Sequence, residues 1–209
     1  MQAKAHLDVV LAVRPTVHTL IIVNRTKSRA TLLHDYARST YPQLTTVRVL
    51  DKATQDSVSA ADIICTTTNS SVPVFNGKWL TSGTHINAIG SYTPTMQELD
   101  VATVQRCCIF IDTPHALRCG DLSMADVTKE TCGWMEIGEA CFLGAEKALQ
   151  LQQQDRARRG LLPSNMWKGK YNARCTLFKS VGTSVQDVAT GAEVVKRAQM
   201  LGIGRLVCL

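Results

Sequence analysis

The sequence has few aromatic residues, little charge and no long apolar run. Aromatic residues make up 5% of the 209 residues and charged residues 19%, whereas hydrophobic residues make up 45%. This balance is typical of a globular protein and excludes disordered, collagen-like and coiled-coil architectures. Every apolar run is too short for a transmembrane helix, so we expect no membrane association. The opening segment carries His6 and Asp8 and lacks a small-residue cleavage site, so we expect no signal peptide.

A regular cysteine framework is also absent. The eight cysteines form no CxxC pair, and no cluster of His, Cys, Asp and Glu has the spacing of a zinc site. Cys107 and Cys108 are adjacent, and in a strand their side chains would point to opposite faces. That arrangement suits neither a disulfide between them nor a shared metal site. We therefore expect small buried residues at these two positions, and reduced thiols in a cytoplasmic protein.

The net charge of +6 is unevenly distributed along the chain. Residues 1–150 hold 13 Lys and Arg against 14 Asp and Glu, whereas residues 151–209 hold 10 against 3. The densest basic stretch, QQQDRARRGLLPSNMWKGKYNAR (152–174), mixes arginines with Trp167 and Tyr171, as nucleic-acid-binding surfaces do. No nucleic-acid fold signature accompanies this stretch. We interpret it as a solvated helix end and a loop, and expect no nucleic-acid partner.

Short apolar strands alternate with helices over the first half of the chain. The run HTLIIV (18–23) has the length and β-branched content of a strand buried on both faces of a parallel sheet. Thr26 is the predicted cap of the following helix, whose apolar side includes Ala30, Leu33 and Ala37. Further strands are predicted at 44–50, 62–68, 85–90 and 107–112, and further helices at 4–13, 54–61 and 96–106. Because parallel strands require crossovers, the alternation predicts an α/β fold with a doubly wound parallel sheet and helices on both faces.

Amphipathic helices are predicted at both ends of the chain. In the first helix the apolar side consists of Ala5, Val9, Ala12 and Val13. In the last helix, predicted over 182–204, it consists of Val185, Val188, Ala189, Ala192 and Val195. Between them the pattern predicts a helix over 135–154 with two glycine interruptions, and a strand over 175–180.

Six sequence blocks in a fixed order cover nearly the whole chain. They are QAKAHL (2–7), VNRTKSRA (23–30), ADIICTTTNSSVPVF (61–75), GTHINAIGSYTPTMQELD (83–100), FIDTPHALRCGDL (110–122) and LFKSVGTSVQDVAT (177–190). This ordered set resembles the ornithine cyclodeaminase and mu-crystallin family. The resemblance implies a Rossmann-like fold in a two-domain, dimeric protein that depends on a nicotinamide cofactor. The activities it implies are cyclodeamination of ornithine, reduction of cyclic imines (ketimines) and dehydrogenation of alanine.

The start of the chain departs from the family pattern. The family has a phosphate-binding turn, G-x-G-x-Q-A, after its first strand, whereas only Met1-Gln2-Ala3 corresponds to that segment here. We therefore expect an N-terminally truncated chain whose sheet lacks its first strand, so that the neighbouring strands lack backbone partners. By the resemblance, the absent domain supplies the homodimer interface and grips the substrate carboxylate. We expect an incomplete dinucleotide-binding domain at 1–150, and at 151–209 a basic loop, a strand and a helix that packs on the absent domain.

The residues after the first predicted strand bear on the choice of cofactor. An Asp or Glu here usually binds the ribose 2′-hydroxyl of NAD, whereas an Arg accommodates the 2′-phosphate of NADP. This chain has Asn24, Arg25, Thr26 and Lys27, and no acid. A guanidinium matches a phosphate in a bidentate arrangement, to which the hydroxyl of Thr26 and the charge of Lys27 add. We predict a preference for NADP(H), with NAD(H) as the alternative; a solvated turn with a Thr cap is the competing interpretation.

Polar strand ends supply further predicted cofactor contacts. Ligands of open α/β sheets bind at the carboxyl ends of the strands, where hydroxyls and backbone amides contact ribose or phosphate. The threonines that end strand 62–68 are therefore candidates, namely Thr66, Thr67 and Thr68. The resemblance adds Ile89 and Ser91 after the next strand, and Ser180 and Val181 where strand 175–180 gives way to a helix.

The resemblance also bears on the chemistry. Cyclodeaminase-type members carry a carboxylate in a G-A-D pattern at a position where this chain has Gly90-Ser91-Tyr92. A phenol is a poor base near neutrality, so this sequence favours the ketimine-reductase branch. In that branch a hydride comes from the cofactor and the imine needs only a proton.

The sequence does not assign a catalytic residue. Asp112 and Asp121 are as well explained by turn capping as by chemistry, and His115 has no evident partner. His85 is interpreted as a histidine of the core. The sequence thus predicts an NADP(H)-dependent oxidoreductase that in intact form reduces small cyclic imino acids. The alternatives are an ornithine cyclodeaminase or amino-acid dehydrogenase that uses NAD, and an inactive truncated remnant or binding protein.

Overall fold

The computed structural model describes residues 2–128, 132–158 and 175–205. The strands in these residues are β1 (Thr19–Val23), β2 (Thr46–Leu50), β3 (Ile63–Thr66), β4 (His85–Ala88), β5 (Cys107–Ile111), β6 (Met135–Glu136) and β7 (Cys175–Lys179). The helices are α1 (Gln2–Val13), α2 (Lys27–Thr40), α3 (Gln55–Ser59), α4 (Val101–Arg106), α5 (Gly120–Ser123), α6 (Ile137–Leu143), α7 (Ala145–Arg158) and α8 (Ser184–Met200). Most of the predicted basic stretch, including Trp167 and Tyr171, lies outside the described residues.

All the strand pairs are parallel, as predicted. β1 pairs with β2, and a larger sheet has the order β3-β4-β7-β5-β6. β7 belongs to the C-terminal part of the chain, yet it lies between β4 and β5 in the middle of the larger sheet. The architecture is therefore an α/β fold built on parallel strands joined by crossovers.

The parallel strands form two sheets where the sequence predicted one. Within the described residues, β1 pairs only with β2, and β3 pairs only with β4. The facing edges of β1 and β3 line a common cleft instead of pairing with each other. Among the described strands, β1 and β3 therefore each have one hydrogen-bonded edge and one edge without a strand partner.

The main core is formed by the larger sheet. β5 is buried along almost its whole length, and Ile109 and Ile111 are fully buried together with Leu177 of β7. They pack with Leu99 and Leu122 from the connecting segments. A central strand covered on both faces explains why CCIFI reads as a continuous apolar run rather than an alternating one.

A smaller core lies between α1 and α2, and it corrects the predicted apolar side of α1. Leu7 and Leu11 are buried against Ala37 of α2, whereas Val9 and Val13 are 62% and 60% exposed. The two leucines are four residues apart and therefore share one face of the helix, which buries more apolar surface than the side that carries the valines and alanines.

The region predicted as one helix over 135–154 is divided. It begins with the short strand β6 and continues as α6 and α7, which are separated at Gly144. Gly144 has a φ of 84°, a left-handed conformation that glycine adopts without steric cost and that ends a helix.

α8 is the last helix of the described residues, and it is exposed. Thr183 and Gln186 form a capping box at its start, but no residue of α8 is buried. The predicted apolar side is open, with Val185 74% and Val188 72% exposed. In the described ranges, none of the helices has the length and hydropathy needed to cross a membrane.

Candidate functional site

The carboxyl ends of β1, β3, β4, β5 and β7 carry the polar residues predicted to bind a cofactor. In an open sheet of parallel strands this edge is where ligands bind. The predicted residues divide into two groups in the structure. Asn24, Arg25, Thr26, Thr66, Thr67 and Thr68 line the cleft between the two sheets, whereas Lys27, Ile89, Ser91, Ser180 and Val181 are not among its lining residues.

The cleft is large and open. It measures about 2430 Å³, beyond the roughly 300–1,000 Å³ typical of ligand pockets. The excess arises because β1 and β3 face each other without hydrogen-bonding. The polar residues of the cleft are therefore gathered around a gap between two sheets.

The turn after β1 presents a positive charge beside the start of α2. The Asn24 side chain accepts a hydrogen bond from the Thr26 amide (2.8 Å), and the Asn24 amide donates to Leu50 O (3.0 Å). Arg25 is exposed, and in the described part of the chain its guanidinium makes no hydrogen bond or ion pair. Thr26 occupies the predicted cap position, but its hydroxyl forms no capping bond. The N-terminus of α2 and the Arg25 guanidinium, which has no protein partner among the described residues, together favour the binding of an anion at this point.

The end of β3 contributes hydroxyls to the opposite side of the cleft. Thr66 is buried, and its hydroxyl oxygen has no hydrogen-bond partner among the residues described. Thr67 is half-buried and Thr68 is exposed. A buried hydroxyl normally has a partner, so an unsatisfied one at a ligand-binding edge is consistent with a contact that a ligand would supply.

Glu98 joins the ends of β3 and β4, a role that the sequence did not indicate. Its side chain is fully buried and accepts hydrogen bonds from the amides of Thr68 and Gly90, the latter at 2.8 Å. A Cβ at Gly90 would lie 2.0 Å from Thr68 O, so a larger residue cannot be accommodated without displacing the backbone. Glu98 therefore fixes two strand ends against each other at a point where only glycine fits.

A buried ion pair lies behind this edge of the sheet. Lys179, the last residue of β7, places its Nζ 3.3 Å from Asp121 Oδ2, and both side chains are 0% exposed. Asp121 Oδ1 accepts from the amides of Glu98 (2.6 Å) and Leu99 (2.9 Å). Burial raises the pKa of the Asp121 carboxyl, while Lys179 and the two amides act in the opposite direction. Asp121 thus connects β7 to the loop that carries Glu98.

Ser91 is part of this buried network. It is fully buried, donates to Met96 O (2.6 Å) and accepts a long hydrogen bond from the Asp121 amide (3.4 Å). Its hydroxyl is directed into the protein. Tyr92, the next residue, lines the cleft and is 61% exposed.

Asp112 holds the turn that follows β7. Its Oδ2 accepts from the Ser180 hydroxyl (2.8 Å) and from the amides of Val181 (2.9 Å) and Gly182 (2.8 Å). Ser180 and Val181 therefore have an internal partner, and their donors are used by the protein. Asp112 Oδ1 is buried and has no hydrogen-bond partner in the part of the chain that the structure describes.

The two histidines considered from the sequence lie in different settings. One ring nitrogen of His85 is 2.7 Å from Thr176 Oγ1 and the other 3.2 Å from Asn87 Oδ1, and burial lowers its pKa. His85 has a partner at each ring nitrogen, but it is half-buried and lines the cleft, so it is not the fully buried core histidine that the sequence predicted. His115 is exposed in a 3₁₀ turn. Among the described residues, no group of His, Cys, Asp and Glu could hold a metal ion.

Solved structures with this arrangement define the class of fold. The chain is similar to a Thermococcus litoralis Delta(1)-pyrroline-2-carboxylate reductase in complex with NADH and L-proline, at 23% identity and a TM-score of 0.74, over 99% of this chain and 58% of that one. It is also similar to an archaeal alanine dehydrogenase dimer with bound NAD, at 23% identity and a TM-score of 0.69, over 100% and 57% of the two chains. The fold is therefore the Rossmann-like α/β fold that these two structures share.

The particular family follows from the sequence comparison. The model of the ornithine cyclodeaminase/mu-crystallin family matches residues 1–201, so the chain belongs to that family, as the resemblance predicted. A Delta(1)-pyrroline-2-carboxylate reductase of Bacillus thuringiensis subsp. konkukian is 32% identical over 99% of this chain and 57% of its own length. The ketimine reductase mu-crystallin of Macropus fuliginosus is 29% identical over 68% and 37%. The chain thus spans little more than half of the first of these relatives.

Proposed function

We propose that this chain is the nucleotide-binding part of an NADP(H)-dependent reductase of small cyclic imino acids. Family membership and the reductases among the relatives support reduction of a C=N bond. The observation that carries the choice of cofactor is the exposed Arg25 guanidinium, which stands without a protein partner beside the start of α2.

The residues present fit a nicotinamide dinucleotide at the carboxyl edge of the sheets. Arg25 offers two parallel donors to a 2′-phosphate, and within Asn24–Lys27 there is no carboxylate to repel it. The Thr66 hydroxyl is buried and has no hydrogen-bond partner among the described residues, so a cofactor could supply one. When bound, the cofactor supplies the hydride. The chain's own residues bind and orient the cofactor. Asp112 holds the Ser180–Val181 turn in place through its hydrogen bonds.

Titration of the chain with NADPH and with NADH tests this assignment. Replacing Arg25 with Ala removes a charge-assisted contact worth about 1.5–3 kcal/mol. We expect a tenfold to hundredfold weaker affinity for NADPH and little change for NADH. Arg118→Ala, which removes an exposed arginine from a 3₁₀ turn, is the matched control and should leave both affinities unchanged. Equal NADPH affinity of Arg25→Ala and the unmodified chain would contradict the assignment.

We further propose the domain division expected from the sequence, with 1–150 as the dinucleotide-binding unit and 151–209 as the C-terminal segment. The exposed apolar side of α8 supports packing against another domain of the intact protein, and the homodimer implied by the family belongs to that same protein. A cytoplasmic location is proposed from the reduced cysteines expected in the sequence. Cross-linking of α8 in the intact protein, followed by peptide mapping, tests the packing.

A binding or remnant protein without turnover is the second candidate, and the division of the sheet favours it. β1 and β3 border an open gap at the cofactor-binding edge, so the site is less preorganised for a cofactor. Ordering it on binding would lower the affinity. Oxidation of NADPH in the presence of Delta(1)-pyrroline-2-carboxylate distinguishes the two candidates. Turnover supports the reductase, whereas NADPH binding without turnover supports the binding protein. An NAD-dependent cyclodeaminase is disfavoured, because Tyr92 stands where that activity would place a carboxylate.

A further inference from the structure

Two cysteines from distant parts of the chain face each other in the core. Cys107 is the first residue of β5 and Cys175 the first residue of β7, and the two are Cα partners in the parallel pair. Both are buried, at 0% and 2% exposure, and both belong to the main core. Cys108 is also buried, but as the next residue of β5 it points to the other face of the sheet.

The pairing satisfies the distance requirement of a disulfide. Neighbouring strands lie about 4.7–4.9 Å apart, and a disulfide needs a Cα separation of roughly 4.4–6.8 Å with Cβ atoms on the same side. Paired residues of adjacent strands place their side chains on the same face of the sheet. The bond can therefore form with local rotation of the side chains and without exchange of strand partners.

The chemical setting of Cys175 favours its thiolate form. A hydrogen bond with Cys107 and the nearby charge of Arg106 lower the pKa of Cys175 to about 7, although burial opposes this change. The Arg106 guanidinium is held in place by hydrogen bonds to Gly77 O (2.8 Å) and Leu80 O (2.9 Å). Thiolate is the nucleophilic form of cysteine, so Cys175 can act as the attacking sulfur towards a small oxidant that reaches the core.

We propose that Cys107 and Cys175 are a redox-sensitive pair that forms an intrachain disulfide on exposure to hydrogen peroxide. The Cys175 thiolate attacks one peroxide oxygen, the O–O bond breaks, and a sulfenic acid and water result after uptake of a proton. The Cys107 sulfur then attacks the sulfenic sulfur, the S–O bond breaks, and the hydroxyl leaves as a second water with the Cys107 proton. Two thiols and one hydrogen peroxide thus give one disulfide and two waters. The proposal is independent of the proposed function.

Peptide mapping of the peroxide-treated chain tests this directly. Cys65 and Cys141 are exposed and would react first, so both are replaced by Ser in every variant, as is Cys208. After treatment, the remaining thiols are alkylated in denaturant and the chain is digested with trypsin. Cleavage after Arg106 and Arg174 releases CCIFIDTPHALR and CTLFK. We expect these two peptides to be linked by a disulfide that dithiothreitol reverses.

Three variants decide which cysteines take part. Cys108→Ala should retain the cross-link, because its side chain lies on the other face of the sheet. Cys107→Ala and Cys175→Ala should each abolish it. Circular dichroism before treatment establishes that each variant is folded. A link through Cys108, a link between two chains, or Cys175 oxidised without a cross-link would overturn the proposal.

The pH dependence supplies a second, independent measurement. Because a thiolate is required and the pKa of Cys175 is about 7, its thiolate fraction rises about tenfold between pH 6 and pH 8. We expect the initial rate of cross-linking to rise by the same factor. A rate that does not change over this interval would exclude Cys175 as the attacking thiol.

Discussion

At the scale of single residues, the Lys179–Asp121 pair shows how a buried charge is accommodated. Both side chains are withdrawn from solvent, and each oxygen of the carboxylate has a partner, the ammonium group on one and two backbone amides on the other. A buried pair contributes little net stability when intact, but removing one partner leaves a charge in the core. The pair is thus a constraint on the position of β7 more than a source of stability.

Replacing Lys179 with Met should destabilise the fold by about 3 kcal/mol or more at pH 7, because Asp121 then carries an uncompensated buried charge. Urea unfolding followed by circular dichroism measures the change. The double variant Lys179→Met/Asp121→Asn removes both charges and keeps an acceptor for the Glu98 and Leu99 amides, so it should recover most of the loss. A Lys179→Met variant as stable as the unmodified chain at pH 7 would contradict this account.

The same variant should show a pH-dependent deficit. Burial raises the pKa of Asp121 in the folded state above its unfolded value. The stability of such an acid is fully present below the unfolded pKa and is lost as the pH rises towards the folded pKa. Without Lys179 the folded pKa rises further, so the deficit should shrink on going from pH 7 to pH 5, by at most about 1.4 kcal/mol per pH unit. Urea unfolding at the two pH values tests the sign.

At the scale of secondary-structure elements, the junction of β3 and β4 depends on a close backbone approach. Glu98 accepts from the amides of both strand ends, and Gly90 leaves no room for a side chain. The contacts of Glu98 and Gly90 place the Thr66–Thr68 segment next to the end of β4. They therefore determine the geometry of the predicted cofactor contacts on one side of the cleft.

Replacing Gly90 with Ala should be strongly destabilising, because its Cβ would lie 2.0 Å from Thr68 O. We expect a loss of about 2–4 kcal/mol, in the range of overpacking and backbone displacement. Gly138→Ala is the matched control, since it lies in α6 with nothing within 4 Å of the added Cβ. That change should be neutral or stabilising by up to about 1 kcal/mol. Thermal unfolding of both variants makes the comparison, and equal midpoints would show that the backbone adjusts freely at Gly90.

The elements themselves were largely predictable, whereas their contacts were not. β5 is visible in the sequence because a strand covered on both faces is continuously apolar. β1 was predicted to be buried on both faces as well, but Ile22 is its one buried residue, because β1 pairs with β2 alone among the described strands. The predicted apolar side of α1 was wrong, because the spacing of apolar residues alone does not show which of two possible helix faces packs against α2. The roles of Glu98 and Asp121 arise from contacts between distant segments, which have no local sequence signal. The family pattern at the start of the chain predicted strands without backbone partners, but the division into two sheets was not predicted.

At the scale of the whole molecule, the two sheets differ in how well they are supported. The larger sheet surrounds the main core, with β7 between two partners and Leu177 fully buried. β1 and β2 form a two-stranded sheet that depends on the smaller core with α1 and α2. A two-stranded sheet without such packing is only marginally stable. We therefore expect local unfolding to begin with β1 and β2.

Amide hydrogen exchange followed by mass spectrometry tests this order of stability. We expect the slowest exchange in Ile109, Ile111 and Leu177, and faster exchange in β1 and β2, by at least tenfold, because fewer buried apolar contacts hold the smaller sheet. NADPH should slow exchange in Asn24–Lys27 if it binds there. Uniform protection across both sheets would mean that they unfold as one unit.

The central position of β7 bears on how the chain folds during synthesis. β4 and β5 cannot acquire their shared neighbour until the ribosome has released the chain beyond Lys179. Until then, both strands expose unpaired edges that other chains could bind. The larger sheet therefore cannot be completed before β7 has been synthesised, and until then these two strand edges are the places where aggregation would begin.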